Sequence, residues 1–235
     1  ARFAALLTAG LIDDDPGRVI WVLAVVLTVS AVIGLVNGLM VVKADFNPLS
    51  ATLITYTVLR GVALVYTQQP IGGIPFEVTD FLYENLLGVP YPAWIFLALV
   101  VGMAVFLDRT RFGRNAYAVG GDEDVARRAG VPVGSARLGM MVLCSLFAGL
   151  AGIVLAFRQG IGDPRVAEGL ELTAIVAVVI GGVSIFGGRG NVWGVLGGVL
   201  FLSVLRNAMN LQGVDPLFQG VVTGILIIVA VVVFS

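Results

Sequence analysis

Seven stretches of this chain stay apolar over, or close to, the twenty or so residues that a helix rising 1.5 Å per residue needs to cross a hydrocarbon core of about 30 Å. They lie at about 19–42, 48–67, 91–107, 135–158, 170–187, 192–210 and 217–235. The third is short, and the fifth and sixth are interrupted by glycine. Hydrocarbon offers no partner to a backbone N–H or C=O, so runs of this length and continuity are helices that satisfy their own backbone. The fold class is therefore all-α, a polytopic transmembrane helix bundle of about seven spans. Composition agrees with that solvent: 58% of residues are hydrophobic, 12% are charged, and the mean hydropathy is +1.01. The apolar piece from Ala1 to Ile12 is too short to span and lacks the basic start and small-residue cleavage site of a signal peptide. It reads as the end of a helix in a chain truncated or interrupted at its N-terminus.

Arginine and lysine accumulate on the cytoplasmic side of membrane proteins, which orients the spans. The segment Asp108–Ser135 holds Arg109, Arg111, Arg114, Arg127 and Arg128, with Arg137 just beyond, whereas Gln68–Tyr91 holds no basic residue. The first is cytoplasmic and the second external. Alternation then places the acidic LIDDDPGR outside and the loops with Lys43 and Arg189 inside. Arg158 and Arg165 on one external loop, and Arg206 near another, run against the bias.

Glycines repeat at intervals of four: Gly34 and Gly38, then Gly190, Gly194 and Gly198, then Gly220 and Gly224. This spacing puts small residues on one helical face and predicts close helix packing. The adjacent pairs Gly181-Gly182 and Gly187-Gly188 weaken a helix and mark either an ordinary irregularity or a broken, re-entrant segment. The single cysteine, Cys144, sits in an apolar run and is expected to be a small core residue, excluding any disulfide within the chain. The chain contains no histidine, which removes the commonest general base and metal ligand. Its net charge of −1 gives no reason to expect nucleic acid as a partner.

Against this background the stretch GGDEDVARRAGVPVGSARL, Gly120–Leu138, concentrates charge. Asp122, Glu123 and Asp124 suit the positive N-terminal end of a short helix, and Arg127 and Arg128 its negative C-terminal end. Glu123 with Arg127, and Asp124 with Arg128, are i,i+4 pairs in the favourable order. Gly130 suits a C-terminal cap and Pro132 prevents continuation, giving about two turns, or roughly 12 Å. A helix so short needs flanking spans or a partner to hold it. It reads either as a docking element or as a solvated loop whose arginines only fix topology.

The run GRNAYAVGGDEDVARRAGVPV resembles the cytoplasmic loop of permease subunits of bacterial ABC importers, in the ribose/xylose type of monosaccharide permease. The family pattern is matched at Gly113, Arg114, Tyr117, Ala118, Gly120, Gly121, Asp122, Ala126, Arg127, Gly130 and Val131, and departs at Val125, where alanine is usual. The stretches 51–67, 89–95, 168–198 and 205–224 resemble successive blocks of the same permeases, in order. Members usually have ten spans, so the resemblance implies that the first three are missing and that Ala1–Ile12 ends the third. It also implies a single permease domain over 1–235, with 120–132 as the coupling loop.

The partners implied are a cytoplasmic ATPase that hydrolyses ATP, a second permease copy or homologue, an external sugar-binding protein, and the lipid of the bacterial inner membrane. The chain itself is then no enzyme and carries no cofactor, in keeping with its lack of a G-x-x-x-x-G-K-(S/T) phosphate loop. Coupling contacts are expected from Gly121, Asp122, Glu123, Val125, Ala126, Arg127, Arg128, Gly130 and Pro132. For a neutral sugar, hydrogen-bonding groups within spans are the candidates: Asn37, Thr52, Thr55, Tyr56, Arg60, Ser145, Glu171, Thr173, Asn207 and Asn210. Arg60 and Glu171 stand out because intramembrane charge is costly, although Arg60 has a structural role open to it and Glu171 lies near a span end. The external loops 68–91, with Glu77, Asp80 and Glu84, and 159–169 are expected docking surfaces for the binding protein. Importers of branched-chain amino acids, nucleosides or a sugar-like signal are the near alternatives. A secondary carrier would often show paired carboxylates at mid-membrane, and the central spans have none.

Overall fold

The computed structural model describes residues 1–75, 79–80, 84–164, 167, 169–184 and 187–234. Glu77, Arg165 and Glu168 lie outside the described residues. Two compact units divide the chain: Ala1–Phe96 with Gly134–Ala167, and Leu97–Val133 with Glu168–Ser235.

The first unit is built on α1 (Arg2–Ile12), a 3₁₀ turn (Pro16–Arg18), α2 (Val19–Lys43), α3 (Pro48–Tyr66), a short hairpin of β1 (Asn85–Leu86) and β2 (Val89–Pro90), the start of α4 (Tyr91–Arg109), and α7 (Val133–Gln159) from Gly134 onward. Asparagine or aspartate before proline starts two of these elements. Asn47 accepts from Leu49 N at 2.9 Å ahead of Pro48, and Asp15 from Gly17 N at 2.9 Å ahead of Pro16. Each satisfies an orphan donor while proline presets the first turn. The 11-residue α1 is the most enclosed helix of the unit: Ala5, Leu6, Thr8, Ala9 and Ile12 are all buried. Ala4 and Ile12 pack with Val22 and Val26 of α2 and Ile153 of α7. Glycine sets the α2–α7 distance, because a Cβ on Gly34 would stand 2.6 Å from Val142 Cα and one on Gly38 3.1 Å from Leu138 Cα. The packing expected of this pair is present.

At the opposite ends of the helices Ile71 and Gly162 exchange backbone hydrogen bonds of 3.0 Å in both directions, and Ile74 N donates to Gly160 O at 3.0 Å. The two segments expected to form external docking loops are thus tied to each other.

In the second unit α5 (Arg111–Gly121) and α6 (Glu123–Arg128) follow α4, and α8 (Leu170–Ile180), α9 (Val192–Leu211) and α10 (Pro216–Phe234) complete the chain. Val176 and Ala177 of α8 pack with Leu202 of α9. Gly181, Gly194 and Gly198 let the backbones meet: a Cβ on Gly181 would stand 2.7 Å from Gly194 C, and one on Gly198 would strike Ala177 O.

Three expectations are corrected here. The run 170–187 is not one span, since α8 stops at Ile180 after 11 residues, about 16 Å and half a hydrocarbon core. Gly182, at φ +78°, ends it: Gly182 N donates to Val179 O at 2.9 Å and Val183 N to Val178 O at 3.2 Å, a Schellman closure. The broken-segment reading of the glycine pairs therefore fits this stretch. Gly220 and Gly224 have no atom within 4 Å of a built Cβ, and Gly190 precedes α9 and faces the Val183 side chain instead. On α10 the spacing of four gives a smooth face that packs against nothing among the described residues, beside exposed Val221 and Ile225. Cys144 is exposed on α7, not in the core.

Among the described residues, five helices are long and apolar enough to cross a membrane: Pro16–Lys43, Pro48–Tyr66, Tyr91–Arg109, Val133–Gln159 and Val192–Leu211. Pro216–Phe234, with 19 residues, covers the last expected run. The protein is a multi-pass, all-α membrane bundle.

Candidate functional site

The charged island begins one helix earlier than its composition suggests. Thr110 ends α4 and caps α5: its hydroxyl donates to Phe106 O at 2.6 Å and accepts from Gly113 N at 3.1 Å. Phe106 and Phe112 close the corner with ring centroids 5.5 Å apart, and a Cβ on Gly113 would strike Leu107 O. A threonine followed three residues later by a glycine that must approach a carbonyl was the available signal for α5. Tyr117, on this helix, donates its hydroxyl to Gly190 O at 3.3 Å.

Asp122 separates α5 from α6. Extended at φ −157°, it breaks the first helix and caps the second, its Oδ1 accepting from Val125 N at 3.0 Å. At the other end Gly130, at φ +78°, donates to Arg127 O at 3.1 Å while Val131 N donates to Ala126 O at 3.0 Å. This is a second Schellman closure, so both ends of a six-residue helix are satisfied by its own neighbours. Acids lie in its first turn and arginines in its last, opposing the helix dipole favourably.

Of the two expected ion pairs one forms. Arg127 Nη2 meets Glu123 Oε1 at 2.8 Å, with the Arg127 side chain 68% exposed. Asp124 and Arg128 form no ion pair with each other, a correction: an exposed i,i+4 pair gains only tenths of a kcal/mol, so spacing alone does not secure it, and aspartate is one methylene shorter than the glutamate that pairs with Arg127. One residue anchors α6, since Ala126 is buried at 3% exposure, while Gly121, Asp122, Asp124, Val125, Arg127, Arg128, Gly130 and Pro132 are all exposed. Val125, where the family pattern has alanine, is 61% exposed. The result is a helix capped at both ends that shows an apolar residue and two guanidinium groups outward.

The polar candidates within spans fall into separate groups. Asn37, Thr52, Thr55, Tyr56 and Ser145, joined by Ser30, line a cavity of about 190 Å³ in the first unit, among α1, α2, α3 and α7. Asn37 is buried at 6% exposure and its Oδ1 accepts from Thr55 Oγ1 across α2 and α3. Arg60 is exposed and does not line this cavity.

In the second unit Glu171 lies exposed in the first turn of α8, where a carboxylate suits the helix N-terminus. Thr173 donates to Gly169 O at 3.0 Å and accepts from Arg206 Nη2. Asn207 is exposed, and Asn210 Oδ1 accepts from Gln219 Nε2 at 2.7 Å. Arg206 and Gln219 were missed from sequence: one counted only as loop charge, the other is a lone amide in an apolar helix.

A family model described as "Branched-chain amino acid transport system / permease component" matches residues 1–231. The L-arabinose transport system permease protein of Escherichia coli K12 is 40% identical over 198 residues, covering 84% of this chain and 60% of that protein. The ribose import permease protein of Bacillus subtilis 168 is 41% identical over 198 residues, covering 83% and 62%. That of Escherichia coli K12 is 39% identical over 215 residues, covering 89% and 67%. The chain thus spans about 60% of the length of the first two of these relatives. No solved structure matches. A match along nearly the whole sequence, on a bundle of apolar helices with a capped polar helix between two of them, leaves one conclusion: the chain belongs to the family of branched-chain amino acid transport system permease components.

Proposed function

We propose that this chain is the membrane-spanning permease of an ATP-driven importer of the ABC type, and that the importer carries a monosaccharide into the bacterial cytoplasm across the inner membrane. The observation that carries the reading is α6: a six-residue helix capped at both ends, anchored by Ala126 and otherwise presented outward. A preformed helix on a membrane protein supplies what a soluble partner needs, a surface whose ordering cost is already met. ATP hydrolysis then belongs to a separate cytoplasmic subunit that docks on Val125, Arg127 and Arg128, with Asp122, Glu123, Gly121, Gly130 and Pro132 shaping and capping the helix. Residues 1–235 act as one permease domain with 120–132 as its coupling loop, paired with a second permease and fed by an external binding protein.

Sugar is favoured over branched-chain amino acids because relatives named for L-arabinose and ribose lie at 39–41% identity. The chemistry of the cavity supports it. Its polar side chains are hydroxyls and one carboxamide, none of them charged, set among apolar residues such as Phe3, Leu7, Val29 and Ile33, and they can hydrogen-bond a neutral polyol. Asn37 and Tyr56 are the first residues of the substrate path in this reading, and Asn207 and Asn210 belong to the polar end of α9.

The test is co-expression with an ATPase and a binding protein of a sugar importer, followed by uptake of labelled L-arabinose and ribose into vesicles. ATP-dependent uptake, and recovery of the ATPase with the permease, are expected. Uptake that persists without ATP, or a permease that never retains an ATPase, refutes the importer.

A further inference from the structure

The C-terminal end of α5 rests on the loop that joins α8 to α9, and only glycine permits the contact. A Cβ on Gly120 would stand 3.0 Å from Gly188 N; one on Gly187 would strike Gly120 O, and one on Gly188 would strike Gly121 Cα. Gly187 and Gly188 also have φ of +91° and +73°, so glycine is required there twice over, by backbone conformation and by space. The loop is closed on itself by Gly187 N to Ser184 O at 3.1 Å and Ser184 N to Arg189 O at 3.0 Å. Tyr117, one turn back on α5, adds its hydroxyl contact with Gly190 O at 3.3 Å.

We propose that this glycine seat is the joint through which α6 moves the broken helix: Gly120, Gly187 and Gly188, fastened by Tyr117, are positioning residues that pass displacement of the docked helix to α8 and α9. The inference rests on the importer reading above. Backbone against backbone leaves no rotamers to absorb a shift, so the two elements travel together or separate. One side of the joint is continuous with α6 through Asp122. The other side leads into α8, which stops half-way, and into α9, which begins at once under its own cap, Asn191 accepting from Trp193 N at 3.0 Å. Thr173 and Arg206 link these two helices near their far ends, so a push at the seat reaches that polar pair.

The experiment uses the reconstituted importer and three readouts: ATPase retention, amide exchange at 123–131 and 187–191 with and without ATP, and sugar taken up per ATP hydrolysed. In the wild type ATP is expected to alter exchange in both segments. Gly188→Ala should keep the response at 123–131, lose it at 187–191, and lower uptake per ATP at least ten-fold. Tyr117→Phe, which removes one hydrogen bond, should lower it about five-fold. Gly197→Ala, at a helical glycine with no atom within 4 Å of its Cβ, should change nothing. If Gly188→Ala fails to assemble, Tyr117→Phe decides. Exchange at 187–191 that ignores ATP in the wild type, or uptake per ATP within two-fold of wild type in the assembled variants, overturns the joint. A wild-type permease that retains no ATPase removes the importer reading, and the joint with it.

Discussion

Gly130→Ala separates the capping of α6 from every side-chain contact. Gly130 has φ +78° and no atom within 4 Å of a built Cβ, so alanine meets no clash and the whole cost is that of holding an L-residue left-handed. That cost is about 1–2 kcal/mol. Few other contacts hold this helix: buried Ala126, one N-cap worth about 1 kcal/mol, and one exposed ion pair worth about 0.2–0.5 kcal/mol. Losing 1–2 kcal/mol moves a local folded-to-unfolded ratio by about 5- to 30-fold. A partner that binds only the folded helix loses affinity by up to that factor, because its apparent Kd scales inversely with the competent fraction. The assay is ATPase affinity for the permease in nanodiscs, with amide exchange at Val125–Val131 alongside. Gly130→Asn should recover much of the loss, since asparagine tolerates the left-handed region. Unchanged affinity and exchange in Gly130→Ala, or an asparagine variant no better than alanine, would refute the view that the cap sets the helix population.

Other sites give cleaner readings of stability and of the second cap. Gly34→Ala places a Cβ 2.6 Å from Val142 Cα and should cost about 1–3 kcal/mol in detergent unfolding, whereas Gly220→Ala should stay within about 0.5 kcal/mol. Asp122→Ala removes the acceptor of Val125 N and should cost α6 about 1 kcal/mol, read as faster exchange of that amide, with Asp122→Asn close to wild type. Thr173→Val removes an acceptor from Arg206 and should destabilise the permease by about 1–2 kcal/mol; a neutral result would mean that Arg206 finds another partner at no cost.

The spans were legible because hydropathy reports the solvent of a side chain, and lipid and water differ by kcal/mol per residue. Helix ends were less so, for a physical reason that α8 makes plain. The run IVAVVIGGVSIFGG stays free of charge past Ile180, yet the helix ends at Gly182 through a backbone conformation that hydropathy does not register. The pair Gly181-Gly182 is ambiguous in sequence, and the Schellman bonds of Gly182 and Val183 resolve it. Spacing of four likewise identifies a smooth face without saying what lies opposite. Gly34 and Gly38 meet the α7 backbone, and Gly220 and Gly224, spaced identically, meet nothing described.

The same distinction governs the site. The caps and the ion pair that shape α6 lie within eleven residues: Asp122 as cap, Glu123 with Arg127, Gly130 as closure, Pro132 as stop. Local interactions can be read from local sequence, so this helix and its polarity were visible in advance. The cavity joins Asn37 to Thr55 and Ser145, and Arg206 reaches Thr173 from 33 residues away, contacts that no spacing rule encodes. Even locally, spacing is necessary rather than sufficient. Asp124 and Arg128 stand in the same i,i+4 relation as Glu123 and Arg127, but the aspartate is one methylene shorter and the gain too small to order the arginine. In the proposed importer the unequal outcome matters for docking: Arg127 would meet the ATPase with its charge already shared by Glu123, whereas Arg128 presents its guanidinium without an ion pair among the described residues. Arg128→Ala should therefore weaken ATPase binding more than Arg127→Ala, and the reverse order would show that the Glu123–Arg127 pair is itself the recognised feature.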